Sequence, residues 1–431
     1  MKPTLFGYGL TTKAIAKKLG GGCTFFDDNC KEPYTDKENN KIFPSFMFDP
    51  EKSELEVTTP SLKPNHTLIK KAKNLLSEYD YFLGNISETV GCCPPTEPTL
   101  QDHNIGAVRT QHPTKPNKPF NIWISGTNGK TTTTQMLTHL LEKKGALSGG
   151  NIGTPLADLD TDAPIWVLES SSFTLHHTHT ASPDIYLLLP ITPDHLDWHG
   201  TPEQYEADKL KPLLTMKEGE LALVPKGLNL PKTNAYVVEY DSKEFLCEYF
   251  DLDASKLNYK GAFLEDALLS LAITKVLFDE TDYDLLNTFK RDAHRQEEIH
   301  DTKGRLWVND SKATNLDATL QAVKGYADQP IHLILGGDDK GVDLKPLFEV
   351  MSSFNITIYT IGANSEKLKG LAKTYNINYI ESKTIDNAVK NIDNALKSSE
   401  VALLSPAAAS FDQFKSYKHR GDTFMELVKK L

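Results

Sequence analysis

A glycine-rich loop between two contrasting segments constrains this chain more than any other feature. It reads Ser-Gly-Thr-Asn-Gly-Lys-Thr-Thr over 125–132, after an apolar strand predicted over 120–124 and before a helix predicted over 130–144. Glycines let backbone N–H groups turn toward phosphate oxygens, and the helix N-terminus adds its dipole. In such a loop Lys130 bridges the β- and γ-phosphates and the Thr131 hydroxyl holds Mg²⁺. The loop therefore predicts a nucleoside triphosphate site.

The spacing of this loop departs from the usual one. It is GxxGKT rather than GxxxxGKT, and Ile124 stands where the first glycine is expected. A chance Gly-Lys-Thr in a turn is the alternative interpretation. The strand before the loop and the helix after it favour the phosphate site.

Length and pattern together predict three α/β domains. At about 150 residues per domain, 431 residues suggest three. Strands alternate with helices along the chain, which predicts mostly parallel sheets covered on both faces. We place the domains at 1–117, 118–292 and 293–431, with a linker rich in Pro, Asn, Thr and Gln from Cys92 to Pro119.

Composition excludes several classes of protein. The chain has 47 Lys+Arg against 58 Asp+Glu, a formal charge of −11, whereas a general nucleic-acid binder needs a basic face. No apolar run approaches the ~18 residues of a membrane helix, and the first ten residues do not predict a signal peptide. Five cysteines without CxxC spacing argue against a disulfide framework or a zinc site. We expect a cytoplasmic monomer with reduced thiols and no membrane insertion.

The N-terminal segment predicts a strand, a glycine turn, a helix and a second strand. The strands are expected at 4–6 and 23–26, the turn at 7–9 and the helix at 12–19. Thr12 occupies the position of the third glycine in a dinucleotide motif, so a tight turn without a ligand stays open as an alternative.

Polar side chains follow the predicted strands of the central segment. Glu169 ends the strand at 165–168, where a carboxylate faces the ligand crevice of a parallel sheet and suits Mg²⁺. The serines at 170–172 suit a helix cap equally well. His195 is a candidate ligand for a second Mg²⁺ or a phosphate, although a structural role is commoner for a single histidine. Composition alone does not distinguish Lys209 from a surface lysine.

Three polar loops follow strands of the third segment, at 310–315, 336–340 and 405–410. The carboxyl ends of parallel strands form the ligand-binding edge of such sheets. Three loops at that edge therefore predict a site in this segment, where Lys312 can neutralise phosphate charge.

Taken together, these motifs resemble the Mur ligases, the ATP-dependent amino-acid-adding enzymes of peptidoglycan precursor synthesis. The resemblance covers the chain from Gly126 to the C-terminus and is looser before it. The motifs, in order, are GTNGKTT (126–132), GGNIGTP (149–155), LESSSF (168–173), DHLDWHG (194–200), DSKATN (310–315), LGGDDKG (335–341) and LLSPAAASFDQF (403–414). The last two favour the member that adds D-glutamate to UDP-N-acetylmuramoyl-L-alanine.

The resemblance implies a fold and a reaction. The fold is an N-terminal Rossmann-like UDP-binding domain, a central ATPase-type domain with a mostly parallel sheet, and a C-terminal Rossmann-like domain. The reaction uses ATP, Mg²⁺ at two sites, UDP-N-acetylmuramoyl-L-alanine and D-glutamate, and it passes through an acyl phosphate. A carbamate formed from CO₂ on Lys209 is also implied.

Site residues follow from the same resemblance. The residues implied for ATP are Gly126, Thr127, Asn128, Gly129, Lys130, Thr131, Thr132, Asp310 and Lys312. Those implied for the UDP-sugar are Gly7, Gly9, Leu10, Thr11, Asp27, Asn151 and Ser172. Those implied for D-glutamate are Thr314, Lys340, Ser410, Phe411 and Tyr417. The implied metal ligands are Thr131, Glu169, His195 and carbamylated Lys209, and the implied catalytic residues are Lys130, Glu169, His195 and Lys209.

Three stretches depart from the family pattern. The usual Gly-x-His-Asn-x-x-Asn reads Lys-Gly-Ala-Phe-Leu-Glu-Asp at 260–266, so adenine recognition is expected to differ. The proline of Pro-His-Arg is replaced by Ala293, and Ser61 stands where a glycine is usual.

Other functions remain open at this point. One is a different amide ligase of the same superfamily, such as a folate polyglutamate synthase or another Mur ligase. A second is a regulatory P-loop ATPase or GTPase without an amino-acid acceptor. A third, prompted by the stretch at 260–266, is a nucleotide-binding protein that has lost activity.

Overall fold

The computed structural model describes residues 2–84 and 118–431. Within those ranges it contains three six-stranded sheets, mostly parallel, with helices between the strands. This confirms the predicted fold class. The predicted linker lies outside the described residues except for its last two, and so do Cys92 and Cys93. Cys23, Cys30 and Cys247 are free thiols.

The first sheet has the strand order β3-β4-β2-β1-β5-β6. Its strands are β1 (Thr4–Phe6), β2 (Thr24–Asp27), β3 (Tyr34–Thr35), β4 (Lys41–Pro44), β5 (Glu56–Thr58) and β6 (Leu75–Leu76). Its helices are α1 (Leu10–Lys18), α2 (Thr67–Lys71) and α3 (Glu78–Leu83). Only β3 is antiparallel to its neighbour in the described part of this sheet. β2 lies on one side of β1 and β5 on the other, so the chain crosses β1 between β4 and β5. This change of side places a crevice at the carboxyl end of β1.

The second sheet is parallel throughout, with the order β12-β11-β10-β7-β9-β8. Its strands are β7 (Phe120–Ser125), β8 (Ala146–Gly150), β9 (Ile165–Glu169), β10 (Ile185–Leu188), β11 (Leu221–Pro225) and β12 (Tyr236–Tyr240). The helices are α4 (Lys130–Leu141), α5 (Ser172–His176), α6 (Leu196–His199), α7 (Pro202–Leu210), α8 (Lys243–Phe250), α9 (Gly261–Phe278) and α10 (Tyr283–Asn287). Ile122, Trp123 and Ile124 are fully buried, as expected for a central strand covered on both faces.

The third sheet has the order β13-β14-β18-β15-β16-β17. Its strands are β13 (Glu297–His300), β14 (Leu306–Asn309), β15 (Ile331–Leu335), β16 (Ile356–Ile361), β17 (Asn378–Lys383) and β18 (Val401–Leu404). Its helices are α11 (Leu316–Gly325), α12 (Lys345–Met351), α13 (Ser365–Thr374), α14 (Ile385–Ala395) and α15 (Tyr417–Val428). Only β13 runs antiparallel among the described strands of this sheet. The last strand, β18, lies between β14 and β15, so the three polar loops predicted from the sequence follow three adjacent strands.

The chain divides into two compact units. One comprises Met1–Leu257 with Asp266–Asn287, and the other Asn258–Glu265 with Thr288–Leu431. The first unit holds the first and second sheets, and the second unit holds the third. The predicted domain boundaries at 117 and 292 stay predictions. Among the described residues, no helix combines the length and apolar character needed to cross a membrane.

A buried ion pair joins β14 to the loop before it. Arg305 Nε donates to Asp301 Oδ2 at 2.8 Å, and Trp307 Nε1 donates to the same oxygen at 3.0 Å. Arg305 also bonds Asp393 at the end of α14. Burial opposes the charge on Asp301, but the Arg305 hydrogen bonds outweigh burial and lower the pKa of Asp301 to about 2.

We expect Asp301→Asn to lower the free energy of unfolding by about 3 kcal/mol at neutral pH, because a buried guanidinium loses its charged partner. An unfolded aspartate titrates near ~3.9. The contribution of Asp301 is therefore fully present above that pH and is lost as the pH falls toward the folded-state pKa of about 2. Urea unfolding of variant and parent should show a difference that shrinks on acidification. The exposed Asp328→Asn is the control, and an equal loss in both variants would contradict the prediction.

Candidate functional site

Backbone geometry at the glycine-rich loop requires glycine at two positions. Between β7 and α4, Gly126 has φ +138° and Gly129 has φ +82°. A Cβ at Gly126 would lie 2.5 Å from Leu189 Cβ, and one at Gly129 would lie 2.6 Å from Asp266 Oδ1. These contacts are closer than real Cβ atoms approach, so the loop admits no side chain at either position.

Two lysine side chains converge on this loop. Lys130 Nζ donates to the carbonyl oxygens of Gly126 at 3.0 Å and Thr127 at 2.7 Å. Lys209 Nζ, on α7, donates to the same Gly126 oxygen at 2.7 Å. Lys209 is 1% exposed, and its Nζ lies 4.8 Å from the centroid of the Tyr205 ring. Burial, and then the charge of Lys130, hold the pKa of Lys209 well below its usual range.

Glu169 presents a buried carboxylate beside the loop. It pairs with Ile124 across β7 and β9, and it is 3% exposed. Asn151 Nδ2 donates to its Oε1 at 2.6 Å, while Oε2 is buried with no hydrogen-bond partner among the described residues. Such an oxygen suits a cation. Glu169 is the last residue of β9, so it stands at the carboxyl end of the strand as the sequence predicts.

His195 immediately precedes α6, as its N-cap, and has a left-handed backbone with φ +53°. Half of its side chain is exposed, and its ring centroid lies 4.9 Å from that of Phe173. Partial burial, opposed by Asp194, lowers its pKa, and the charge of Lys130 lowers it further. A lowered pKa favours the uncharged imidazole, which is the form that coordinates a metal ion. Among the described residues no cluster of three or more His, Cys, Asp or Glu side chains forms a ready metal site.

The serines after β9 have structural roles. Ser171 caps α5, since its hydroxyl accepts from Thr174 N at 3.1 Å. Ser172 Oγ lies 3.0 Å from His199 Nε2, and the His199 Nδ1 lies 2.7 Å from Asp208 Oδ2. Ser172 lines neither of the two cavities described below, although the resemblance implied a role in UDP-sugar binding.

A histidine–aspartate network escaped the sequence reasoning. His176 Nδ1 lies 2.8 Å from Asp208 Oδ1, and Gln204 Nε2 donates to Asp208 at 3.0 Å. Burial opposes the charge of Asp208, but the hydrogen bonds from His176 and His199 prevail and lower its pKa to about 2. Because Asp208 precedes Lys209 on α7, the network fixes the helix that delivers Lys209. His176 lies 32 residues from Asp208, and no local pattern in the sequence links the two.

Two cavities are lined by residues that follow β1, and the second is also lined by residues that follow β8 of the second sheet. One of about 240 Å³ is lined by Gly7, Gly9 and Asp27 among others, and Asp27 Oδ2 accepts from Tyr8 N at 2.7 Å. The second, of about 150 Å³, is lined by Leu10, Thr11 and Asn151 among others. The structure thus brings six of the seven residues implied for the UDP-sugar to cavities within the first unit.

Asp266 is a site residue whose role the sequence left undefined. It lies in the atypical stretch at 260–266, is buried, and accepts from Thr133 Oγ1 at 3.0 Å. Its carboxylate also lies next to Gly129, so Asp266 packs against the glycine-rich loop. The departure from the family pattern therefore falls on a residue that shapes this loop.

Within the second unit, the three predicted loops meet at the carboxyl ends of β14, β15 and β18. Asp338 and Ala409 exchange backbone hydrogen bonds, with Asp338 N donating at 3.0 Å and Ala409 N at 2.8 Å. Asp310 Oδ2 accepts from Ser405 Oγ at 2.8 Å. Burial raises the pKa of Asp310 to about 7 against the effect of the Ser405 bond.

The residues implied for D-glutamate lie on or beside these loops. Thr314 and Lys340 are exposed, and Lys340 has φ +50°. Ser410 Oγ is buried without a hydrogen-bond partner among the described residues, whereas Phe411 is 72% exposed. Lys312 Nζ lies 4.4 Å from the centroid of the Tyr417 ring. Both residues therefore lie at the edge of the third sheet where the three loops meet.

Comparison with protein families and curated sequences gives a consistent picture. Residues 124–259 match the model of the Mur ligase middle domain. A relative from Campylobacter jejuni subsp. jejuni, named UDP-N-acetylmuramoylalanine--D-glutamate ligase, is 46% identical over 434 residues and 100% of both chains. A relative of the same name from Helicobacter pylori is 42% identical over 448 residues and 100% of both chains.

Solved structures show the same fold at low identity. MurF ligase from Thermotoga maritima, in complex with ADP, has a TM-score of 0.58 at 16% identity and covers 100% of this chain and 97% of its own. E. coli FolC in complex with DHPP and ADP has a TM-score of 0.52 at 16% identity, over 74% of this chain and 90% of its own.

We predict that Gly129→Ala abolishes tight nucleotide binding, because the added Cβ meets Asp266 and the left-handed backbone is strained. The strain and contact should also cost about 1–3 kcal/mol of stability. Fluorescent-nucleotide titration and thermal unfolding measure the two effects.

Gly227→Ala is the matched control for this substitution. Gly227 also has positive φ, +91°, but a Cβ there meets nothing within 4 Å. It should lose a little stability and bind nucleotide normally. Equal nucleotide affinity in the two variants would contradict the importance of the Asp266 contact.

Proposed function

The chain belongs to the Mur ligase family, and from that membership we propose the roles of its residues in one reaction. The reaction is the ATP-dependent addition of D-glutamate to UDP-N-acetylmuramoyl-L-alanine in peptidoglycan precursor synthesis, the activity named for relatives at 42–46% identity over the full chain. The observation that carries the residue roles is the phosphate loop, onto which two lysines converge beside a buried carboxylate.

The chemistry explains why ATP is needed. A carboxylate is a poor electrophile because its leaving group would be oxide. In the proposed reaction the L-alanine carboxylate attacks the γ-phosphate, which forms an acyl phosphate and releases ADP. The amine of D-glutamate then attacks the acyl carbon, and inorganic phosphate leaves as the amide forms. Catalysis consists mainly of positioning and charge neutralisation.

Lys130 is proposed to neutralise the transferred phosphoryl group. Its ammonium is already at the loop, bonded to two neutral carbonyls. Phosphate oxygens are stronger acceptors for an ammonium, because the hydrogen bond is then charge-assisted on both sides. Bound nucleotide would therefore displace the carbonyls of Gly126 and Thr127 from Lys130. The other loop residues, from Gly126 to Thr132, supply backbone donors and hydroxyls.

The residues present fit Mg²⁺. Glu169 has an unpartnered buried oxygen, and Mg²⁺ sites commonly use one or two carboxylates plus substrate phosphates. We propose that Glu169, Thr131 and His195 hold the metal, in two sites as the family resemblance implies. When bound, Mg²⁺ would neutralise phosphate charge and polarise the phosphoryl oxygens.

Lys209 is proposed to carry a carbamate. A buried lysine with a lowered pKa is a neutral amine for part of the time, and only a neutral amine adds to CO₂. The product replaces a buried cation next to Lys130 by a carboxylate-like anion, which removes the repulsion between the two ammonium groups. The anion would serve as a further metal ligand.

The remaining assignments complete the proposal. The two cavities of the first unit would take the UDP-sugar, and the loop edge of the third sheet would take D-glutamate and, through Asp310 and Lys312, the nucleotide. We also propose the domain limits 1–117, 118–292 and 293–431, a monomer and a cytoplasmic location. The alternative ligase of folate metabolism is supported only by a shared fold with FolC, and relatives that cover the full chain favour the cell-wall reaction.

We predict that parent enzyme releases phosphate from ATP only when UDP-N-acetylmuramoyl-L-alanine and D-glutamate are both present, with L-glutamate and D-aspartate much poorer acceptors. Phosphate release with nucleotide alone, at an equal rate, would favour the regulatory ATPase. No turnover with any acceptor would favour a protein that has lost activity.

Lys130→Ala and Glu169→Gln should each lower turnover by about 10³-fold or more, because Lys130 would neutralise the transferred phosphoryl group directly and Glu169 would help to hold the Mg²⁺ that does so. The exposed Lys143→Ala, two residues after the end of α4, is the control. Normal turnover in a folded Lys130 or Glu169 variant would contradict the proposed role of the glycine-rich loop in phosphoryl transfer. Thermal unfolding of each variant checks the fold.

A further inference from the structure

Arg420 is a buried cation whose acceptors are all neutral in the hydrogen bonds that the structure shows. It lies on α15 and is 1% exposed. Its Nε donates to Ser311 Oγ at 2.9 Å, and its Nη2 donates to Ser311 O at 2.8 Å. Nη1 and Nη2 both donate to Ala408 O at 3.1 Å. A buried guanidinium is normally paired with a carboxylate, so this arrangement needs an explanation.

The acceptors of Arg420 belong to different loops. Ser311 is in the loop after β14, and Ala408 is in the loop after β18. Gly337, in the loop after β15, lies against the same group, because a Cβ there would be 3.4 Å from Nη1. β14, β18 and β15 are neighbours in the sheet. One guanidinium therefore hydrogen-bonds two of the loops and lies beside the third at the proposed amino-acid site.

The charge of Arg420 is poorly compensated. Burial lowers its pKa to about 10, opposed by Asp412 and Asp310, so the group stays protonated at neutral pH. Asp310 is itself only partly ionised there, since burial raises its pKa to about 7. Asp412 is exposed, and its Oδ2 accepts from Ala363 N at 2.8 Å. Neither carboxylate hydrogen-bonds Arg420, so its charge has no direct counter-ion at this edge of the sheet.

A second observation points to a ligand at this edge. Ser410 follows Ala408 by two residues, and its buried hydroxyl has no hydrogen-bond partner among the described residues. A buried hydroxyl without a partner is costly unless a ligand or water completes it. Ser410 and the charge behind it are both suited to an anionic amino acid.

We propose that Arg420 is a positioning residue for the amino-acid substrate: it clamps the three loops, and its uncompensated charge strengthens the binding of the substrate carboxylates without touching them. This rests on the proposed function, because it assumes that the loop edge takes D-glutamate. A purely structural clamp is the competing explanation. It would affect stability and all substrates alike, whereas the charge would act on the anionic amino acid.

The test uses the full chain with Arg420→Met and Arg420→Lys, and measures KM for D-glutamate, ATP and the UDP-sugar substrate together with kcat. The Met variant should raise KM for D-glutamate by about 10- to 100-fold, with the other two KM values within about twofold. The Lys variant keeps the charge and should recover about tenfold of that loss. Lys418→Met, an exposed change on the same helix, should leave every constant unchanged.

Each outcome decides the proposal. A folded Met variant with an unchanged KM for D-glutamate, or with all three KM values raised equally, overturns it, as does a Lys variant no better than Met. If the Met variant fails to fold, Ser311→Ala replaces it, because it removes one acceptor and keeps the charge. A several-fold rise in KM for D-glutamate alone then supports the proposal, whereas no change, or an equal rise in all three KM values, refutes it. If the parent enzyme itself ignores D-glutamate, the proposed function fails instead.

Discussion

Two lysine side chains that share one acceptor organise the glycine-rich loop. Lys130 and Lys209 come from different helices, and both donate to the carbonyl oxygen of Gly126. Two cations at one neutral oxygen repel each other, and the enclosure of Lys209 makes that repulsion stronger than it would be in water. Negative charge would reduce this repulsion. It could come from the phosphates of a nucleotide, with or without bound metal, or from a carbamate on Lys209. The loop is therefore built around an anion, and the neighbouring Glu169 is placed to balance the cations.

The sequence was sufficient to predict the features that depend on neighbouring residues. The glycine turn between β7 and α4 was predictable because strand, glycines, lysine and helix are contiguous in the sequence. The strands expected at 4–6, 120–124 and 165–168 are present within one residue of those bounds, because each is a short, mostly apolar run. Sheets of this kind place such loops on one edge, so the convergence of the three polar loops also followed from the pattern.

Features that depend on distant residues were out of reach. Asp208 meets His176 from a different helix, and Arg420 meets Ser311 across more than a hundred residues. Neither pair has a recognisable spacing, since tertiary packing alone brings them together. Ser172 is a different case: its motif was recognised from the sequence, and the contact of its hydroxyl with His199 was not. A motif identifies a segment, and it does not specify which way each side chain points.

The glycine backbone of the phosphate loop has a consequence for chemical intervention. At Gly126 and Gly129 any larger residue would collide with Leu189 or Asp266. A small molecule that recognised the bare peptide groups of this turn would therefore leave its target few viable routes to resistance, because the substitutions that repel the compound also dismantle the turn.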